Sequence, residues 1–262
     1  MPHKTPSRDR SSSRMMIVFS FLAGLWMVFA AESRPTANTN PLGFTLLPKD
    51  VFLQAQNDAT DEIWRQIPEH SVQLHIAPAV HQSIALRRDA NQDVQPLSLQ
   101  VRAISDGEHI CFRLRWNDET ENQTSLVGKY RDAAALQFPR NAETASIMMG
   151  SPDSPVYIWF WKADTNGAEE LMAGGPGTVS SSPGRSQARG IYQQRSNGHA
   201  GQWLVVFSQK LSDAGKRIFA LDKRGSLPVA FAVWRGEEEQ RDGHKYVSDW
   251  HELHLDSLHA AR

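Results

Sequence analysis

Apolar residues recur at every second position along much of the chain. Leu97, Leu99 and Val101 alternate with polar residues, Ser105-Asp106-Gly107 supplies turn chemistry, and Ile110, Phe112, Leu114 and Trp116 alternate again. Successive side chains on a strand point to opposite faces, so this pattern predicts a β-hairpin with one buried face. Val72, Leu74 and Ile76 repeat it, as do Trp203, Val205 and Phe207, and Val229, Phe231 and Val233. Val156 to Trp161 (VYIWFW) is apolar throughout, as expected of a central strand covered on both sides. Ala133–Phe138 and Thr144–Met149 are expected beside it. Residues 164–202 are rich in Gly, Ser, Gln and Asn, with Gly174-Gly175-Pro176-Gly177 near the middle, and read as a long functional or partner-facing loop. Ser212–Ile218 suits one short helix, and no long stretch has the 3.6-residue period. Many short strands separated by turn signals predict an all-β chain, an antiparallel β-sandwich with a few short helices and long loops.

The N-terminus is different. Lys4, Arg8, Arg10 and Arg14 precede an apolar run of 16 residues, Met15–Ala30, that ends in small residues. That is the layout of a secretory signal peptide over residues 1–30, cleaved after Ala30 or Ala31. The run is only slightly short for a bilayer, so an uncleaved anchor is the alternative. Either way the chain is expected in the periplasm. A polar tether over residues 31–45 and a single domain over 46–262 complete the organisation. Removing the leader turns 28 basic against 29 acidic residues into 24 against 28, and no basic stripe remains, which argues against nucleic acid as a partner. Cys111 is the only cysteine. A disulfide framework, an iron–sulfur cluster, a Cys-rich zinc site and covalent c-type heme are thereby excluded, and this thiol is expected to be buried and inert.

Hydrolase, phosphate-loop, dinucleotide and zinc-protease motifs are missing. His251-Glu252-Leu253-His254 sets two histidines three apart, which on a strand face opposite ways and do not share an ion. Glu237-Glu238-Glu239 reads as a solvated loop. Two longer segments stand out: Ile147-Met148-Met149-Gly150 leading through Pro152 and Pro155 into Val156–Lys162, and Phe231–Gly236 followed by Arg241–Trp250. Each pairs a strand with a Gly/Pro turn, with Met at one mouth and Lys at the other. A thioether is a soft neutral ligand suited to ferrous heme. A lysine amine binds iron only when deprotonated, so its pKa of about 10.4 must be lowered by burial and by the metal. Alone, the two residues are equally an ordinary core methionine and an ordinary turn lysine.

Together with Arg131–Pro139, these blocks resemble the heme-binding γ subunits of the ethylbenzene dehydrogenase group, which includes dimethyl sulfide dehydrogenase, chlorate and selenate reductases and nitrite oxidoreductase. The blocks stand in the family's order and span roughly residues 60–256. The resemblance implies a β-sandwich holding one non-covalent heme b, with Met149 and Lys245 as axial ligands to the iron. Met148 is the neighbouring alternative to Met149, and His244 the alternative to Lys245. It also implies an electron-transfer subunit without bond chemistry of its own. Such a subunit passes single electrons between the iron–sulfur clusters of a β subunit, beside a molybdenum-cofactor α subunit, and an outside carrier such as cytochrome c. The residues alone leave a second class open: a secreted β-sandwich module that stacks surface tryptophans on carbohydrate.

Overall fold

A computed structural model describes residues 41–79, 82–85, 95–141, 145–195, 200–214 and 226–254. The expected signal peptide, residues 31–40 of the tether and residues 215–218 of the expected helix lie outside them. The strands are β1 (Thr45–Leu46), β2 (His70–Ile76), β3 (Leu97–Ser105), β4 (His109–Asp118), β5 (Ala133–Pro139), β6 (Val156–Lys162), β7 (Gly167–Ala173), β8 (Ser180–Ser181), β9 (Gln187–Gln193), β10 (Gly201–Lys210), β11 (Ser226–Trp234), β12 (Tyr246–Val247) and β13 (His251–His254). They bond in the order β8-β7-β6-β5-β11-β12-β2-β3-β4-β10-β9, with β13 on β11 and β1 on β3. All these ladders are antiparallel except β1–β3. The chain is all-β.

The sheet curls so that its two halves face each other across one core. In the β3–β4 hairpin Val101 pairs with Leu114 and Ala103 with Phe112, the register that the alternation demands. Their inward faces meet those of β5, β6 and β11: Phe112 lies 6.2 Å from Trp159 and 6.4 Å from Phe138, ring centre to ring centre. Trp161 meets Trp203 edge-on at 5.0 Å. Each such pair is worth roughly 0.5–1.5 kcal/mol beyond the area it buries. On the other face of the second half, α1 (Lys49–Asn57) lays Phe52 and Ala55 over Ile104, Cys111, Leu204 and Val206. Cys111 is fully buried there, and burial pushes its thiol pKa well up, so it is inert as expected. Leu42, within the expected tether, is buried in the main core and brackets Leu253 with backbone bonds to Glu252 O (2.9 Å) and from His254 N (3.0 Å). No helix among the described residues is long and apolar enough to cross a membrane.

Two expectations need correction. Thr144 of the expected Thr144–Met149 strand lies outside the described residues, residues 145–149 form no strand and turn at 147–149, and the neighbours of β6 are β5 and β7. The cause is local: Met149 and Gly150 both have left-handed backbones (φ 68° and 75°), and a Cβ on Gly150 would sit 2.7 Å from Ser154 O. Residues 164–202 are not one loop but carry β7, β8 and β9. Their polarity reflects half-exposed positions toward the sheet's edges, where ladders to β6 and β10, not apolar faces, define the strand. Asn166, left-handed between β6 and β7, closes the curl: its Oδ1 accepts from Trp161 Nε1 (2.9 Å) and from Gly190 N on β9 (2.7 Å).

Gly190 has no room for a side chain, since a Cβ there would lie 2.2 Å from Trp161 Cζ2. Gly190→Ala should destabilise the fold by roughly 1–3 kcal/mol through overpacking. Thermal unfolding checks this, and an unchanged midpoint would mean that β9 does not seal the core.

Candidate functional site

β5, β6 and β11 are apolar on both faces, and the two faces do different jobs. Ala134, Leu136, Phe138, Tyr157, Trp159 and Trp161 point into the core. The opposite face presents Ala133, Ala135, Ile158, Phe160, Ala232 and Trp234, a second apolar cluster. Across the ladders Ala135 pairs with Ala232 and with Phe160, and Ala133 with Trp234. Alanine at the centre of this face leaves a shallow floor, and Phe160 and Trp234, edge-on at 5.2 Å, stand at its side. Above it opens a cavity of about 1030 Å³, at the upper end of the roughly 300–1,000 Å³ usual for cofactor sites. Its walls are the 147–149 turn, the Leu126–Val127 loop and the loop that leads into β12.

That last loop is held by a buried carboxylate pair that no sequence pattern disclosed. Asp132 accepts from Asn122 N, Trp203 Nε1 and Gly236 N, each at 2.8 Å. Gly236 packs against Tyr130 so closely that a Cβ would fall 2.0 Å from its carbonyl oxygen. Asp118 lies 3.6 Å from the Arg235 guanidinium, which also pairs with Glu237 and Glu238. The run Glu237-Glu238-Glu239 is thus only partly a solvated loop, because two of its carboxylates hold Arg235. Burial pushes the Asp118 pKa up, and the nearby Asp132 adds to this, to about 7, with Arg235 opposing. Burial also raises Asp132, against its hydrogen bonds.

Lys245 closes the loop. Its carbonyl accepts from Ala77 N (2.8 Å), one residue before β12 pairs with both β11 and β2. The side chain is 8% exposed, on the cavity wall, with its ammonium 4.8 Å above the Trp234 ring. Among the described residues no carboxylate pairs with it. Burial therefore lowers its pKa to about 8. His244 is not on the cavity wall; its N–H donates to Arg241 O (2.9 Å). Met148 and Met149 both reach the wall, since the turn removes the strand alternation that would have separated them. Met149 is the one packed on the floor cluster, its carbonyl held by Gly175 N at 2.9 Å.

The tryptophans divide between the core and this site. Trp159 and Trp161 fill the core, whereas Trp234 lines the cavity and Trp250 packs beside its floor, donating to Ala145 O (3.0 Å). Among the described tryptophans all but Trp250 are buried, and Trp250 is half-buried. No group of three or more His, Cys, Asp or Glu among the described residues is placed to hold a metal ion. The cavity instead offers two thioethers, of which Met149 packs on the floor cluster, one buried amine and an apolar floor.

Fold and cavity thus define an all-β chain with a large cavity over one apolar face of its sheet. The chain belongs to the ethylbenzene dehydrogenase family, whose model matches residues 61–201. It is 38% identical over 206 residues to the dimethylsulfide dehydrogenase subunit gamma of Rhodovulum sulfidophilum, covering 77% of this chain and 76% of that one. It is 31% identical over 194 residues to the chlorate reductase subunit gamma of Ideonella dechloratans, covering 73% and 76%. A Haloferax mediterranei chain provisionally named a respiratory nitrate reductase heme subunit is 31% identical over 244 residues, covering 92% and 84%. A solved structure from Bacteroides uniformis, described as carbohydrate-binding, aligns over 82% of this chain and 89% of that one at 7% identity, with a TM-score of 0.39, too low to bear on function.

An amine whose pKa falls on folding holds its proton more weakly in the native state than in the unfolded one. The resulting destabilisation is fully present below about pH 8 and fades as pH rises toward 10.5. Lys245→Met should therefore stabilise the ligand-free chain at pH 7, by up to about 3 kcal/mol, with the advantage shrinking above pH 8. Denaturant titrations at several pH values check this, and a gap that does not change with pH would contradict it.

Proposed function

We propose that this chain is a b-type cytochrome, the electron-transfer γ subunit of a molybdenum oxidoreductase complex, with one non-covalent heme b in the cavity. The observation that carries the reading is the Lys245 side chain: a buried amine on the cavity wall, without an acidic partner among the described residues, its pKa lowered to about 8. An ammonium in that position is a liability; an amine whose lone pair meets a metal is not.

The remaining residues fit the same group. Met149 supplies a neutral soft sulfur from a turn whose backbone is fixed by Gly150 and Gly175. Ala133, Ala135 and Ala232 leave space for a planar macrocycle, and Phe160, Trp234 and Leu171 keep water from its face. A bound heme supplies a one-electron ferric–ferrous couple. Two neutral donors in an apolar pocket, with no anionic thiolate, favour the ferrous state and hence a fairly high potential.

The names of the relatives support the wider assembly, since two are gamma subunits of a dehydrogenase and a reductase and a third is named a heme subunit. In that setting the chain sits beside a molybdenum-cofactor α subunit and an iron–sulfur β subunit and exchanges electrons with cytochrome c. The basic stretch before Met15–Ala30 supports export to the periplasm, by cleavage or with the N-terminus kept as an anchor.

Absorption spectra of the exported protein, oxidised and dithionite-reduced, with a pyridine hemochrome assay, test the reading. About one heme b per chain with sharp reduced α and β bands is expected. Lys245→Ala and Met149→Ala should each change the spectrum, and Met148→Ala should leave it nearly intact. No uptake of heme, even on reconstitution with hemin, would overturn the cytochrome reading. Equal disturbance by the two methionine variants would overturn the ligand assignment alone.

A further inference from the structure

Among the described residues three cationic side chains reach the cavity wall: Arg131, Arg241 and Lys245. Arg131 is committed to Asp164 at 2.9 Å, and Lys245 lies buried over Trp234. Arg241 is different. Its guanidinium lies over the Tyr130 ring, 4.4 Å from the centroid, and donates to Tyr130 Oη. It is half-buried, and among the described residues no carboxylate pairs with it. The adjacent Asp242 is also on the wall but pairs with neither arginine; its carbonyl instead accepts from Trp234 Nε1 at 3.1 Å. Tyr130 follows the Leu126–Val127 turn, where Val127 is fully exposed, so this wall is the cavity's mouth.

A heme carries two carboxylates on one edge of an otherwise apolar ring. Carboxylates are costly to bury unpaired against an alanine floor, which favours that edge at the mouth, where water and a cation without a carboxylate partner meet it. We infer that Arg241, stacked on Tyr130, binds the propionate side chains and so fixes which edge of the macrocycle faces the cavity mouth. This rests on the heme reading above and adds the orientation. A guanidinium suits the task because its planar fork meets a carboxylate through two parallel hydrogen bonds, and stacking on Tyr130 holds the fork in place beforehand. Arg241 and Lys245 also come from one short loop, pinned by His244 N to Arg241 O at 2.9 Å. One loop thus sets both the ligand to the iron and the anchor for the carboxylates.

The test compares heme with its dimethyl ester, in which the propionate charges are gone, on the full chain. Loss of each to excess apomyoglobin is timed for wild type, Arg241→Gln and Arg241→Lys. Arg241→Gln should release heme roughly tenfold faster, the weight of a charge-assisted hydrogen bond. Its reduced spectrum should be unchanged, since iron ligation is untouched. With the ester, wild type and Arg241→Gln should be alike, and Arg241→Lys should recover much of the heme retention. Heme loss at the wild-type rate in Arg241→Gln overturns the proposal and leaves the cytochrome reading intact. So does an equal acceleration for heme and ester, which would mark a structural role for the Arg241–Tyr130 stack. If wild type takes up neither compound, the heme reading falls and this proposal with it.

Discussion

A strand of two residues holds the site together. Tyr246 and Val247 pair with β11 on one side and with β2 on the other, and along the ladder order of the described strands this is where the two halves of the sheet join. The bond from Ala77 N to Lys245 O extends the seam by one residue. The backbone of Lys245 is therefore fixed at the seam, and its side chain leaves that fixed point on the cavity wall, buried over Trp234. The fold supplies the restraint that keeps an amine where its charged form is disfavoured, and the lowered pKa is the chemical consequence.

The second constraint is that β5, β6 and β11 serve two apolar environments at once. Their inward residues are large, Leu136, Phe138, Trp159 and Trp161, and they fill the core between the halves. Their outward residues are small at the centre, Ala133, Ala135 and Ala232, and large only at the side, Phe160 and Trp234. Exchanging the two sets by a one-residue slip would fill the cavity and empty the core, so the register of these strands is fixed from both sides. The Asp118–Asp132–Arg235 cluster does the same for the loops. It replaces apolar packing with hydrogen bonds at the strand ends, where Gly236 must approach Tyr130 closely.

Period-two alternation disclosed β2, the β3–β4 hairpin, β10 and β11. It failed for β7 and β9, whose half-exposed side chains carry little apolar signal and whose identity comes from the ladders to β6 and β10. It misled at 145–149, where Ile147, Met148 and Met149 look like a strand but the left-handed Met149–Gly150 pair reverses the chain. Asp118, Asp132 and Arg235 had no readable signal, because burial brings together residues that are distant in sequence and ordinary in type. Met149 and Lys245 became visible only through blocks resembling a family. Geometry then supplied what sequence lacked: Lys245 but not His244 on the wall, and Met149 packed on the floor. Trp234 lines the cavity, whereas Trp159 and Trp161 fill the core.

The central claim is that one methionine sulfur and one lysine amine from these two turns meet across a flat group in the cavity. Nuclear magnetic resonance of the ferrous, heme-loaded chain carrying carbon-13 methyl-labelled methionine addresses it directly. A methyl group seated over a porphyrin ring is shifted far upfield of every other methionine. One such resonance is predicted, present in wild type and Met148→Leu and lost in Met149→Leu. No upfield methyl in the heme-loaded protein, or one that vanishes in Met148→Leu and survives Met149→Leu, would contradict it.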